Sequence, residues 1–259
     1  MEKPPSQIEL SGVTVEAGSA DGRRVVRDVN WAIGRGDFWV AGGLAGSGKT
    51  ALLETAAGLR PPVAGTVTLF GSPAERLPGS PARAARRRIG FVYGGGGRLF
   101  SHLTLAQNIA LPLCYHRNCA GEAVAEEVAG LLSRFGLLAL AERLPGQVSP
   151  AFRQRAALVR ALALQPEVLF LDDPLAELNT SQVRWWLGLL GDAGDREERA
   201  GWPTTWVVAT DDLRPWLTVG RQFALLQEGG WRVLGGRADL GVAREPLVRE
   251  LLAESAATG

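Results

Sequence analysis

One octapeptide narrows the folds open to this chain more than any other feature. Gly43-Leu44-Ala45-Gly46-Ser47-Gly48-Lys49-Thr50 fits the pattern G-x-x-x-x-G-K-[ST]. Such a run holds phosphate only when it lies between a strand and a helix. Phe38 to Gly42 reads as a short apolar strand leading into it, and a helix is expected from near Gly48 to Gly58, with Gly58 as the C-terminal glycine. Glycines let the backbone N–H groups curl around an anion. The helix N-terminus adds its dipole. Lys49 supplies a cation to the β and γ phosphates, and Thr50 offers a hydroxyl to Mg²⁺. Gly43, Ala45, Gly46, Ser47, Gly48, Lys49 and Thr50 are therefore the expected nucleotide-binding residues, with ATP and Mg²⁺ as ligands. The bland alternative, a mere glycine-rich turn, does not account for a strand before the loop and a helix after it.

A second segment supplies the acid this chemistry needs. Val168 to Leu171 is an apolar strand that ends in Asp172-Asp173-Pro174. A buried strand ending in Asp is where a carboxylate holds the nucleotide's Mg²⁺, so Asp172 joins Thr50 as the expected metal pair. Between these segments, from about Leu103 to Leu164, the periodicity turns helical. Val124, Val128, Leu131, Leu132 and Phe135 fall on one face. This stretch reads either as a helical part of the core or as a helical subdomain inserted between two strands. Further short strands are expected at Val25–Ile33, Thr66–Phe70, Ile89–Tyr93 and Thr205–Ala209, with a hairpin over Phe223–Leu234. Strands alternating with helices argue for an α/β fold with a mostly parallel sheet.

Composition excludes several alternatives. A net charge of +1 in 259 residues gives no reason to expect a nucleic-acid or acidic-membrane surface. The start, MEKPPSQIEL, has no apolar signal region, and no apolar run approaches the roughly 18 residues of a membrane span. The two cysteines, Cys114 and Cys119, fit no common zinc spacing and read as reduced thiols of a cytosolic chain. Trp185 and Trp186 read as core or subunit contact, and Arg86-Arg87-Arg88 as a solvated turn.

Along nearly its whole length the chain resembles the ABC ATPase family. The resemblance rests on GLAGSGKT, IGFVYGGGGRLFSHLTLAQNIALPL, QVSPAFRQRAALVRALALQPEVLFLDDPLAELN, WVVATDD, LLQEGGWRVLGG and EPLVRELL. LFSHLTLAQNIALPL and EPLVRELL look most like the Mla-type subfamily, which energises lipid movement between bacterial membranes. The resemblance implies a P-loop core with an antiparallel β-subdomain and an inserted helical subdomain. Residues 1–93 and 166–240 would form the core and β-subdomain, 94–165 the helical subdomain and 241–259 a C-terminal tail, all within one ATP-binding domain. It implies membrane permease subunits and a second ATP-binding subunit as partners. A homodimer and a heterodimer both remain open. The place implied is the cytoplasmic face of the inner membrane, held there through the permease. In the head-to-tail dimer implied, Ser149 of the signature loop would face the nucleotide of the other subunit.

The chain departs from the family pattern at six places. Ala17 stands where an aromatic stacks on adenine, and Gly94 where a Gln senses Mg²⁺ and water. Pro150, Ala151 and Phe152 follow Ser149 in place of Gly-Gly-Gln, although Ser149 and Pro150 still suit a helix start. Asp173 replaces the catalytic Glu and is expected to be a weak general base. Asn179 replaces the D-loop Asp, and Asp211 the switch His. Two functions follow from different classes: an ATP-driven transport subunit, or a nucleotide-gated structural subunit that hardly turns ATP over. A third, a non-transport ABC protein of DNA repair or translation, usually carries two cassettes or a long coiled-coil insertion, which this sequence lacks. Hydrolysis by this chain alone is expected to be very low.

Overall fold

The structure is a computed structural model and describes residues 6–19, 22–74, 80–194, 202–242 and 245–253. Residues 195–201 and the end of the C-terminal tail lie outside the described residues.

Among the described residues ten strands form one curled sheet in the order β5-β4-β1-β2-β10-β9-β3-β8-β7-β6. Its centre is parallel. β3 (Phe38–Gly42) lies between β9 (Gln222–Gln227) and β8 (Thr205–Thr210), followed by β7 (Val168–Asp172) and β6 (Ile89–Val92). Every residue of β3, β7 and β8 is buried. Continuous apolar runs of this kind suit strands covered on both faces.

The other half is antiparallel. β1 (Ile8–Ser19) pairs with β2 (Gly22–Ile33) and with β4 (Ala64–Leu69), and β5 (Ser72–Pro73) closes that edge. The alternation in β2 has its expected cause: Val26, Val29, Trp31 and Ile33 are buried. The predicted hairpin is present, with β9 turning into β10 (Gly230–Gly235) through Glu228 and Gly229, both at positive φ. β10 joins the two halves of the sheet where Gly230 pairs with Arg27 of β2.

Helix α1 (Lys49–Ala56) is enclosed between the halves, with Leu52, Leu53 and Ala56 fully buried, and Gly58 follows at φ +68°. Helix α2 (Ser80–Arg87) precedes β6. Between β6 and β7 come α3 (Leu105–Arg117), α4 (Ala125–Arg134) and α5 (Pro150–Leu162). The expected apolar face of α4 packs inward through Val128 and Leu132, flanked by Val124 and Phe135. Thr104 opens α3 with a reciprocal cap: its hydroxyl accepts from Gln107 N–H at 3.2 Å, while Gln107 accepts from Thr104 N–H at 2.9 Å. After β7 come α6 (Thr180–Gly194), which buries Trp186, then α7 (Arg237–Val242) and α8 (Pro246–Leu252).

Arg86 and Arg87 are exposed as expected from sequence, but they lie on the end of helix α2 and not in a turn, and Arg88 is engaged. Arg88 grips Glu167 with both arms of its guanidinium and lies 3.5 Å over the Phe70 ring. A planar guanidinium forks a carboxylate and stacks on an aromatic face at once, which a run of three arginines does not announce.

Candidate functional site

The strand–loop–helix context of the octapeptide is in place. β3 ends at Gly42, the loop turns through Gly46 (φ +71°) and Gly48 (φ +105°), and α1 starts at Lys49. No side chain caps α1, so its first N–H groups point into the loop. A Cβ on Gly43 would lie 2.7 Å from the Leu226 carbonyl oxygen and 2.9 Å from Ser47 Oγ, so only glycine lets the loop close this tightly. Lys49 Nζ donates to the carbonyls of Gly43 at 2.6 Å and Leu44 at 2.9 Å. The buried Ser47 hydroxyl has no partner among the described residues. An orphaned donor inside an anion-shaped loop is what a phosphate oxygen would satisfy.

Thr50 Oγ1 donates to Asp172 Oδ2 at 2.8 Å, joining the two motifs across 122 residues of sequence. A hydroxyl beside a carboxylate is a hard-oxygen donor pair of the kind Mg²⁺ prefers. These residues fit a magnesium–nucleotide complex. Ala45, Gly46, Gly48, Lys49, Thr50 and Asp172 line one cleft of about 500 Å³ with Ala17, Gly94, Asp173 and Asp211, while Gly43 and Ser47 lie behind its lining.

The cleft's charges oppose one another. Burial lowers the Lys49 pKa, while Asp211, Asp173 and Asp172 work against that shift. Burial raises the Asp172 carboxyl, offset by the Thr50 hydrogen bond and Lys49. Asp173 is pushed up to about 6, first by burial and then by the Asp211 carboxylate, with Lys49 opposing. Asp173 also holds φ +46°, an uncommon conformation for a residue with a side chain, and its N–H donates to the Ala209 carbonyl at 2.9 Å.

The positions read from sequence as departures have definite structural roles. A Cβ on Gly94 would meet the carbonyl oxygens of Asp172 at 2.9 Å and Asp173 at 3.1 Å. Gly95, Gly96 and Gly97 all have positive φ, and a Cβ on Gly97 would come within 1.9 Å of Ala157 Cβ. Gln154 of α5 holds this turn from the other side: its side chain accepts from Gly96 N–H at 3.0 Å and donates to the Tyr93 carbonyl at 3.1 Å. Arg160 donates to the Gly97 carbonyl at 2.9 Å. Asn179 caps α6, accepting from Gln182 N–H at 3.1 Å and Ser181 Oγ at 2.7 Å. Ala17 is buried on β1 and brings no ring to the cleft.

Ser149 lies apart from the other expected site residues. It is exposed at the start of α5, outside the lining of this cleft. Its backbone has the expected cap conformation and Pro150 opens the helix, but its hydroxyl makes no capping bond. Sequence reasoning missed Gln154, and also a charged cluster on one wall of the cleft. There Glu54 accepts from the Tyr93 hydroxyl at 3.1 Å and pairs with Arg60 at 3.4 Å and Arg98 at 3.8 Å. The Arg98 guanidinium covers the Tyr93 ring at 3.6 Å. Burial, then Glu54, raises the Tyr93 pKa. Glu54 stands one helical turn beyond Thr50, a spacing that could have suggested a shared face.

The family model described as ABC transporter matches residues 26–176. Over 215 residues the chain is 35% identical to the sulfate/thiosulfate import ATP-binding protein CysA of Mycobacterium tuberculosis, covering 82% of this chain and 57% of that protein. It is 34% identical over 236 residues to the protein of the same name from Synechococcus elongatus, covering 90% of this chain and 63% of the relative. The chain thus spans about three fifths of the length of these relatives. Both are named for sulfate and thiosulfate import, not for the lipid movement that LFSHLTLAQNIALPL and EPLVRELL suggested. A dimeric ATP-binding cassette in a post-hydrolysis state bound to ADP and Pi has the same fold, with a TM-score of 0.75 and 27% identity, covering 88% of this chain and 99% of that one. The P-loop core, the antiparallel sheet beside it and the match over residues 26–176 place this chain in the ABC transporter family, with the fold of its ATP-binding cassettes.

Proposed function

We propose that this chain is the ATP-binding subunit of an ABC import complex, in which ATP binding at the cleft drives a membrane permease. The observation that carries this reading is the Thr50–Asp172 hydrogen bond, which sets a metal donor pair beside Lys49 and the helix N-terminus. Lys49 neutralises the terminal phosphates. The loop N–H groups and the Ser47 hydroxyl orient them, and Thr50 with Asp172 would hold Mg²⁺. A bound magnesium ion supplies charge neutralisation at the phosphate oxygens. Asp173, beside Asp172 in the same cleft, is the carboxylate placed to accept a proton from water, and it does so only when ionised.

No helix among the described residues is long and apolar enough to cross a membrane. In this reading permease subunits of the complex span it. A second cassette completes the site, with the exposed Ser149 end of α5 facing the other subunit's nucleotide. The relatives' names support a small inorganic oxyanion as cargo, in preference to a lipid. Calorimetry of Mg-ATP binding tests the core of this reading: Lys49→Ala should weaken binding at least tenfold, and equal affinity would overturn it.

One observation favours a second reading, a nucleotide-gated subunit with little turnover of its own. Gly94 offers no side chain and its backbone fills the space beside Asp172 and Asp173, while Asp211 lies close enough to raise Asp173. A misplaced general base commonly forfeits about 10²-fold to 10⁴-fold in rate. Purified chain turning over ATP at about 1 per second or faster, with the signal abolished by Lys49→Ala, would exclude this second reading.

A further inference from the structure

The chain has only two cysteines, and the fold sets them side by side. Helix α3 ends on Asn118, which adopts the left-handed conformation at φ +50° and donates its N–H to the Cys114 carbonyl. The next N–H, that of Cys119, donates to the same carbonyl at 3.2 Å. A six-to-one bond over a left-handed residue is the turn in which the side chains three residues inside the helix end and two beyond it come into contact. Here those side chains are Cys114 and Cys119. With standard bond lengths the 3.2 Å contact caps their Cα separation at about 7 Å, and disulfides bridge Cα atoms about 4.4–6.8 Å apart.

Both cysteines are half-buried and pack against the helical core. Burial first, and then the neighbouring Cys119, raises the Cys114 pKa. Arg117, between them in sequence, interacts electrostatically with both sulfurs while it grips Glu127 of α4 at 2.6 and 3.0 Å.

We propose that Cys114 and Cys119 form a redox dithiol that closes to an intrachain disulfide by exchange with a small-molecule disulfide. One thiolate attacks the reagent, forming a mixed disulfide and releasing one thiol. The second thiolate then attacks the protein sulfur of that mixed disulfide and releases the other. Two cysteine thiols and one small disulfide become one protein disulfide and two small thiols, so electrons and atoms balance. The bridge ties the last turn of α3 to the segment that leads into α4.

The test treats the folded full-length chain with oxidised glutathione. Intact mass and peptide mapping then follow the products, with Cys114→Ser and Cys119→Ser measured in parallel. The native chain should lose the mass of two hydrogen atoms, give a Cys114–Cys119 crosslinked peptide and hold no lasting glutathione adduct. Each single variant should stop at the mixed disulfide, which its missing partner cannot resolve. A native chain that accumulates glutathione adducts, forms only interchain dimers or keeps both thiols would overturn the proposal. Circular dichroism of the treated chain must match that of the untreated chain, and crosslinking seen only after unfolding counts against the proposal as well.

Discussion

Replacing Gly97 with alanine tests whether the glycine run at 94–97 is a built turn or a stretch that has merely lost its side chains. The native φ of +77° costs a residue with a Cβ about 1–2 kcal/mol. The new methyl would also sit 1.9 Å from Ala157 Cβ, on a helix residue that is 1% exposed and has no free direction to move. Overpacking of this kind adds about 1–3 kcal/mol. Gly97→Ala should therefore destabilise the chain by roughly 2–5 kcal/mol. Gly95 supplies the control, because its φ is +65° but nothing lies within 4 Å of an added Cβ. Gly95→Ala should cost only the conformational part, about 1–2 kcal/mol. Denaturant unfolding followed by circular dichroism measures both. Ala157→Gly in the Gly97→Ala background should restore part of the loss, giving a coupling of at least about 1 kcal/mol. A Gly97→Ala chain no less stable than Gly95→Ala, or additive with Ala157→Gly, would refute the packing argument.

Three further outcomes follow from the site. Asp173→Asn should stabilise the nucleotide-free chain in chelator at pH 8, by an upper limit of roughly 3 kcal/mol. The folded pKa of about 6 lies above the unfolded carboxylate value, so the ionised form costs stability above pH 6 and the gain should fade as pH drops from 6 to 4; thermal melts across that range check it. Gln154→Ala leaves Gly96 N–H and the Tyr93 carbonyl without their partner and should cost about 1–3 kcal/mol on unfolding; a change below about 0.5 kcal/mol would show that water replaces the amide. Ala17→Tyr should tighten ATP binding by about 1 kcal/mol if the adenine lacks a stacking surface, and calorimetry showing no gain would mean that another group already covers the base.

The phosphate loop was legible because its requirements are local: strand, glycines, lysine and helix start lie within thirteen residues, Phe38 to Thr50. Asp172 was legible because a buried strand announces itself by its apolar run. What sequence hid was long-range. The need for glycine at 97 comes from Ala157, sixty residues on, and the clamp on that turn comes from Gln154. Asn179 was read as a lost acid, although the spacing to Gln182 already spelled a helix cap. Arg88 looked like part of a solvated run because nothing local signalled Glu167 or Phe70.

The bond between Thr50 and Asp172 also bears on how the chain acquires its native state. Its two ends belong to elements separated, among the described residues, by four helices and three strands, and the glycine turn that walls the same cleft is anchored by α5. Closing so long a loop is entropically costly and comes late, once β6, β7 and β8 lie side by side. A ligand that needs all these pieces has affinity for the finished molecule and little for any partial one. It therefore shifts the unfolding equilibrium by mass action, by about 2.7 kcal/mol at a hundredfold excess over its dissociation constant. Nucleotide supply thus becomes a determinant of how much of this chain is folded, apart from anything it does to a transport cycle.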